Sequence, residues 1–185
     1  MEDLSLHILD IVENSIAAKA NKIEIIISED KKRGLLSLKI KDNGIGMDEE
    51  TAKKALDPFF TSKTTRRFGL GLSLLSEAAK VANGNFSIKS KKGQGTKITA
   101  NFKYSHIDRK PLGDIDQTII TLVIGNPEIE LIYIHKKNGH KYCIDTRKIK
   151  AQLKDKRINS PDGIRILKED LNKIKMKLKE VKNER

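Results

Sequence analysis

The sequence predicts an α+β two-layer sandwich, a mostly antiparallel mixed sheet with helices on one face, followed by a smaller α/β extension. Three observations lead there. Residues 1–105 hold two helix-then-hairpin passes, in which helical spacing twice gives way to period-two alternation. The strands carry aliphatic rows at period two, as in Ile23, Ile25 and Ile27 and in Leu36, Leu38 and Ile40, which call for helices over that side. From His106 the pattern changes to helix, hairpin and two further helices, so a second segment of residues 106–185 is expected.

Each element has a local reason. Leu4 to Ala20 reads as a helix, with Leu4, Ile8, Ile11, Val12 and Ser15 on one face. Ile23, Ile25 and Ile27 share one side of a first strand. Leu36, Leu38 and Ile40 share one side of a second, after the turn at Glu29–Gly34. Asp48 caps a short helix to Leu56, with Glu49 and Glu50 in its first turn. Asp57 to Phe68 has no period and reads as a loop. A helix over 70–81 stops at Asn83-Gly84. Phe86 and Ile88 mark a third strand, and Gly93-Gln94-Gly95 turns into a fourth whose inner row is Thr96, Ile98, Ala100 and Phe102. In the extension, Asp114 with Gln117 opens a helix to Val123. Residues 129–135 and 140–144 flank an Asn138-Gly139 hairpin turn. Helices cover 146–154 and 162–182.

Composition narrows the class. Lys+Arg number 37 against 25 Asp+Glu, a net charge of +12, which attracts polyanions. No nucleic-acid motif accompanies that charge. Aromatics are 4% with no Trp, leaving few stacking platforms, so the lysines are expected to solvate helix faces and nucleic acid is not the expected partner. No apolar run approaches the roughly 20 residues of a membrane span, and Met1-Glu2-Asp3 does not begin an export signal. The single Cys143 can form neither an internal disulfide nor a cysteine-based zinc site. A cytoplasmic setting is the expectation.

The chemistry starts where a strand's inner row turns polar. Period two carries Leu36, Leu38 and Ile40 on to Asp42, aiming a carboxylate inward. Such a group needs partners, because an isolated buried carboxylate costs several kcal/mol. It opens Asp42-Asn43-Gly44-Ile45-Gly46-Met47, where two glycines let another group approach the backbone. A ligand with an N–H donor, such as the adenine amine, suits it; the alternative is a turn former before Asn43-Gly44. Thr96 heads the inner row of the fourth strand and gains weight only beside Asp42. On the first helix His7, Asp10 and Asn14 form a polar column. There Asn14 can offer a neutral oxygen to Mg²⁺, and Asp10 can orient or deprotonate a water or hydroxyl. The alternative is the solvated side of an amphipathic helix, where His7 is placed. Gly69-Leu70-Gly71-Leu72 opens a helix and exposes N–H groups at its positive end. The preceding loop holds Phe59-Phe60, Lys63, Arg66 and Arg67, either a cationic lid or a solvated loop. Together these describe a Mg-nucleotide pocket.

Residues 4–103 resemble the ATP-binding domain shared by DNA gyrase B, Hsp90, sensor histidine kinases and the MutL proteins. Asp10-Ile11-Val12-Glu13-Asn14-Ser15-Ile16-Ala17-Ala18 matches the N box in its MutL form, and Asp42 to Met47 the G1 box. Asp57-Pro58-Phe59-Phe60-Thr61-Ser62-Lys63 with Gly69-Leu70-Gly71-Leu72 is similar to histidine kinases, and Gly93-Gln94-Gly95-Thr96 matches the G3 turn. The resemblance implies a Bergerat-type fold. It also implies that Asn14 coordinates Mg²⁺, Asp42 holds the adenine amine and Gly46 lies against the base, with Gly44 and Met47 in the same box. The amides of Gly69, Leu70 and Gly71 would bind phosphates, Lys63 the terminal one, and Thr96 would add an adenine-side hydrogen bond. Two departures stand out. The general-base position, commonly Glu in the hydrolysing and serine-kinase members, is Asp10. Only three residues precede the first helix, so a self-contained sensor kinase is not expected.

Three functions follow: Mg-ATP binding with phosphorylation of a separate protein or slow ATP hydrolysis, a non-catalytic nucleotide-dependent switch, and, last, a DNA-associated ATPase. In the last helix Ile164, Leu167, Leu171, Ile174, Leu178 and Val181 form a heptad seam. It packs either on the chain's own hairpin or on a partner or second copy, the latter giving a homodimer through the C-terminal helix. His135 and His140, beside the hairpin turn, are expected at the surface.

Overall fold

Period-two alternation and helical spacing assemble around one aliphatic layer. The structure, a computed structural model, describes residues 3–56 and 70–181. Its elements are α1 (Leu4–Ala17), β1 (Lys22–Asp30), β2 (Leu35–Asp42), α2 (Glu49–Lys54), α3 (Leu70–Val81), β3 (Asn85–Lys91), β4 (Gly95–Lys103), α4 (Ile115–Gly125), β5 (Glu130–Lys137), β6 (His140–Asp145), α5 (Thr146–Leu153) and α6 (Pro161–Glu180). The helices and strands are those anticipated, with ends shifted by a few residues. The largest shift is in α1, which stops three residues early. Its last carbonyls are taken by Ala18, Lys19 and Ala20 N–H groups, with Lys19 in the left-handed region at φ 62°.

The six strands form one mixed sheet, in the order β3-β4-β2-β1-β5-β6. All neighbours are antiparallel except β1 and β5, whose parallel pairing sets Ile23 opposite Leu131 and Glu29 opposite Lys137. The hairpin of the extension therefore continues the sheet begun by the first segment. A parallel neighbour needs a long crossover, and residues 31–129 supply it.

The inner rows Ile23, Ile25, Ile27 and Leu36, Leu38, Ile40 are buried under α1, whose Leu4, Ile8, Ile11 and Val12 are likewise buried. The core runs without a break to Leu167, Leu171 and Ile174 of α6. The heptad seam is thus occupied by the chain's own core, with Leu167, Leu171, Ile174 and Val181 all buried. Ser160 caps α6, accepting from the Gly163 N–H, with Pro161 at its first position. Among the described residues, no helix is long and apolar enough to cross a membrane.

Truncating α6 at its center tests that shared core. Leu167→Ala should lower the unfolding free energy by about 2–5 kcal/mol. Urea denaturation should still show one transition, with signals from both segments coinciding. Two separated transitions would mean that the segments unfold independently.

Candidate functional site

The site is built on the inward turn of Asp42, the last residue of β2. Period two buries this carboxylate as predicted, at 6% exposure. Its charge is met by three donors from three segments. Ser15 Oγ donates to Oδ2 at 2.8 Å, the Gly44 N–H to Oδ1 at 2.9 Å, and the Thr96 N–H to the same oxygen at 3.2 Å. Helix, loop and β4 thus converge on one acid.

The loop after Asp42 is held by its own polar side chains. Asn43 Oδ1 accepts from the Asn21 and Lys22 N–H groups, while its amide nitrogen donates to Asn21 Oδ1 at 2.7 Å. The Ile45 N–H donates to the Ala18 carbonyl, and the Ile45 carbonyl accepts from Gly93. The glycines are required by proximity. A Cβ on Gly44 would stand 2.7 Å from the Ala18 carbonyl oxygen, and one on Gly46, at φ 64°, would run into the Lys91 carbonyl. The Met47 N–H donates to Ser90 Oγ at 2.8 Å, and Ser90 bonds the Thr96 hydroxyl at 2.8 Å. Thr96 therefore meets Asp42 through its backbone, and its hydroxyl is held by Ser90.

On α1 the polar column does not all face solvent. Asp10 and Asn14 are half-buried, and the Asn14 amide nitrogen donates to Asp10 Oδ2 at 3.3 Å, leaving Oδ1 of Asn14 as an acceptor without a partner among the described residues. The Asp10 carboxylate lies against the Cα of Gly71 in the first turn of α3, where any Cβ would overlap it. Burial, reinforced by repulsion from Glu13, holds the Asp10 carboxyl above its ordinary value, against the opposing hydrogen bond from Asn14. His7, expected on the solvated side, is instead 2% exposed. Its place one turn before Asp10 tucks the ring toward α3, and among the described residues nothing hydrogen-bonds its Nδ1. Burial, then nearby positive charge including Lys110, lowers its pKa to about 4, so it is neutral at pH 7.

The structure thus gathers Asp10, Asn14, Asp42, Gly44, Gly46, Met47, Gly71 and Thr96 around the end of the sheet where β2 closes. Residues 57–69, which include the expected loop Asp57–Phe68 with Lys63 and the expected phosphate-binding Gly69, lie outside the described residues, as does the side chain of Leu70. Sequence reasoning missed Ser15 as a partner of Asp42, and Ser90. The second was findable: Phe86, Ile88 and Ser90 share an inner row of β3 that turns polar at the same end as Asp42. His135, expected at the surface, is 4% exposed. It is buried because Glu29 and Tyr133 supply partners to both ring nitrogens, at 2.8 Å each.

Comparison with known proteins gives a consistent picture. A family model described as histidine kinase-, DNA gyrase B-, and HSP90-like ATPase matches residues 2–106. The sensor histidine kinase YvrG of Bacillus subtilis is 37% identical over 89 residues, 46% of this chain and 15% of its own length. A putative sensor protein of Shewanella frigidimarina is 34% identical over 103 residues, 55% of this chain and 16% of its own. The chain thus spans only a small part of the curated relatives it matches. Among solved structures, the N-terminal domain of a DNA repair protein superposes with a TM-score of 0.58 at 21% identity, covering 78% of this chain and 52% of that one. That likeness is one of fold.

The buried His7 makes a signed prediction. Its folded pKa lies below the unfolded value of 6.5, so the unfolded chain binds the proton more readily between the two. Stability attributable to this group should fall by up to about 3 kcal/mol as pH drops from about 6.5 to about 4. In urea titrations across that window, His7→Gln should lose this part of the slope. Equal slopes for the two proteins would mean that the ring is not held neutral.

Proposed function

Because the chain belongs to the histidine kinase-, DNA gyrase B-, and HSP90-like ATPase family, we propose that it binds Mg-ATP at Asp42. There it phosphorylates a separate protein partner or hydrolyzes ATP slowly in a regulatory role. The observation that carries this is an unfilled acceptor position on a buried acid. A carboxylate has about four lone-pair sites, and among the described residues three donors reach Asp42, two on Oδ1 and one on Oδ2. A further site on Oδ2 would take one donor. The adenine amine is such a donor, whereas guanine presents a carbonyl oxygen at the same ring position and would meet like charge.

The remaining residues fit the rest of the nucleotide. Gly44 and Gly46 let the loop pack against the Ala18 and Lys91 carbonyls, and the family resemblance would set Gly46 against the base. Asn14 would hold Mg²⁺ through Oδ1, since its nitrogen is committed to Asp10. When bound, Mg-ATP supplies the transferable phosphoryl group, and the ion neutralizes charge on it. Asp10 would orient the attacking water or acceptor hydroxyl and take its proton, a task favored by its raised pKa. The amides at 69–71 would bind phosphates, Lys63 would reach the terminal one, and a cytoplasmic setting completes the reading. A non-catalytic nucleotide-dependent switch is the second reading, favored by the shorter Asp at a position commonly occupied by Glu.

Calorimetric titration with Mg-ATP and Mg-GTP tests the pocket. ATP should bind and GTP should not, and Asp42→Asn should weaken ATP by about 1–3 kcal/mol. Absence of ATP binding, or equal binding of both nucleotides, would remove the reading. Release of labeled phosphate tests the chemistry: Asp10→Asn should slow it by about 10²–10⁴. If both proteins bind ATP and are equally inert, the switch remains and catalysis goes.

A further inference from the structure

The inner face of the sheet turns polar at both ends, and nucleotide accounts for one of them. At the Asp42 end, Ile23 of β1 stands opposite the acid. At the other end β1 finishes its aliphatic row with Glu29, and β5 runs from Leu131 through Tyr133 and His135 to Lys137. All four polar side chains are buried, none more than 9% exposed. They are joined. Tyr104 donates to Glu29 Oε2 at 3.1 Å, His135 Nε2 meets Glu29 Oε1 at 2.8 Å, and Tyr133 Oη meets His135 Nδ1 at 2.8 Å. Lys137 Nζ donates to the Leu178 carbonyl in the last turn of α6 at 2.9 Å.

Above this network the start of α4 and the last turns of α6 flank an open cavity of about 450 Å³. Tyr133, His135 and Lys137 line it, with Ile115, Ile174 and Leu178 as apolar walls. Lys175 and Lys179 also line it, as do Asp114 and Asp116. A network serving only to pin β5 to β1 needs no open volume beside it.

We propose that this cavity is a second small-molecule site, separate from the Asp42 pocket, for a small organic anion with an apolar body and one hydrogen-bond donor. The volume lies within the usual range for such ligands. Of the lysines in the lining, Lys137 is engaged by the Leu178 carbonyl and by the Glu29 charge, while Asp114 is occupied in capping α4 through the Gln117 N–H. Asp116 has Lys175 at 3.6 Å, which leaves Lys179 as the cation offered to an anion. The donor requirement comes from the floor. Hydrogen bonds from His135 and Tyr104 and the nearby Lys137 ammonium outweigh burial and keep the Glu29 carboxyl below its ordinary value, so it only accepts. In the tautomer that donates from Nε2 to Glu29, His135 accepts at Nδ1 from the Tyr133 hydroxyl. The lone pairs left on that phenol oxygen are acceptors.

The probe is 1-anilinonaphthalene-8-sulfonate, which combines a sulfonate, an aromatic body and one N–H. Added to the whole chain, it should show saturable one-to-one fluorescence enhancement that persists at saturating Mg-ATP and in Asp42→Asn. It should also raise the thermal midpoint, as a ligand of the folded state must. Lys175→Ala combined with Lys179→Ala, both at exposed positions, should weaken the dye about tenfold with the circular dichroism spectrum unchanged. Tyr133→Phe, which keeps the ring, should weaken it severalfold. Unsaturable binding, displacement by Mg-ATP, or unchanged affinity in the double lysine variant would each overturn the proposal.

Discussion

The buried carboxylate of Asp42 is the constraint on which the rest depends. A charge at this depth is tolerated only when its oxygens are met by donors, and they come from α1, from the loop after β2 and from the start of β4. Meeting that demand fixes the helix against the sheet and brings Thr96 alongside β2. It also fixes the path of the glycine loop, which the Asn21–Asn43 pair braces from outside. The group proposed to read the base is therefore also a clasp between distant segments.

A second buried acid, Glu29, does comparable work at the far end of β1. It joins β5 through His135 and the segment after β4 through Tyr104. The aliphatic middle of the sheet is thus bracketed by two polar clusters, each satisfied from several elements. Such clusters are unforgiving, because removing one member strands the others in low dielectric.

Much of this was legible from residue order alone. Asp42 follows Leu36, Leu38 and Ile40 at strict alternation, so its inward aim could be read, and the same rule applied to Phe86 and Ile88 leads to Ser90. The faces of α1 and α6 were legible in the same way. Partnership over distance was not. The burial of His135 depends on Glu29, which lies 106 residues away, and a histidine beside an Asn-Gly turn carries no local sign of that. Helical spacing put His7 in a column with Asp10, but which side α3 would cover is decided by packing. The heptad seam of α6 likewise specified an apolar stripe without specifying what fills it.

The parallel pairing of β1 with β5 has a consequence for how the molecule is made. About a hundred residues of chain separate the two strands, so the interior strand of the sheet waits for a neighbor synthesized long after it. Until then one edge of β1, lined with isoleucines, lies open to unintended pairing. Such long-range closure slows folding, and a ribosome stalled before residue 130 would present an incomplete sheet to the cell's chaperones.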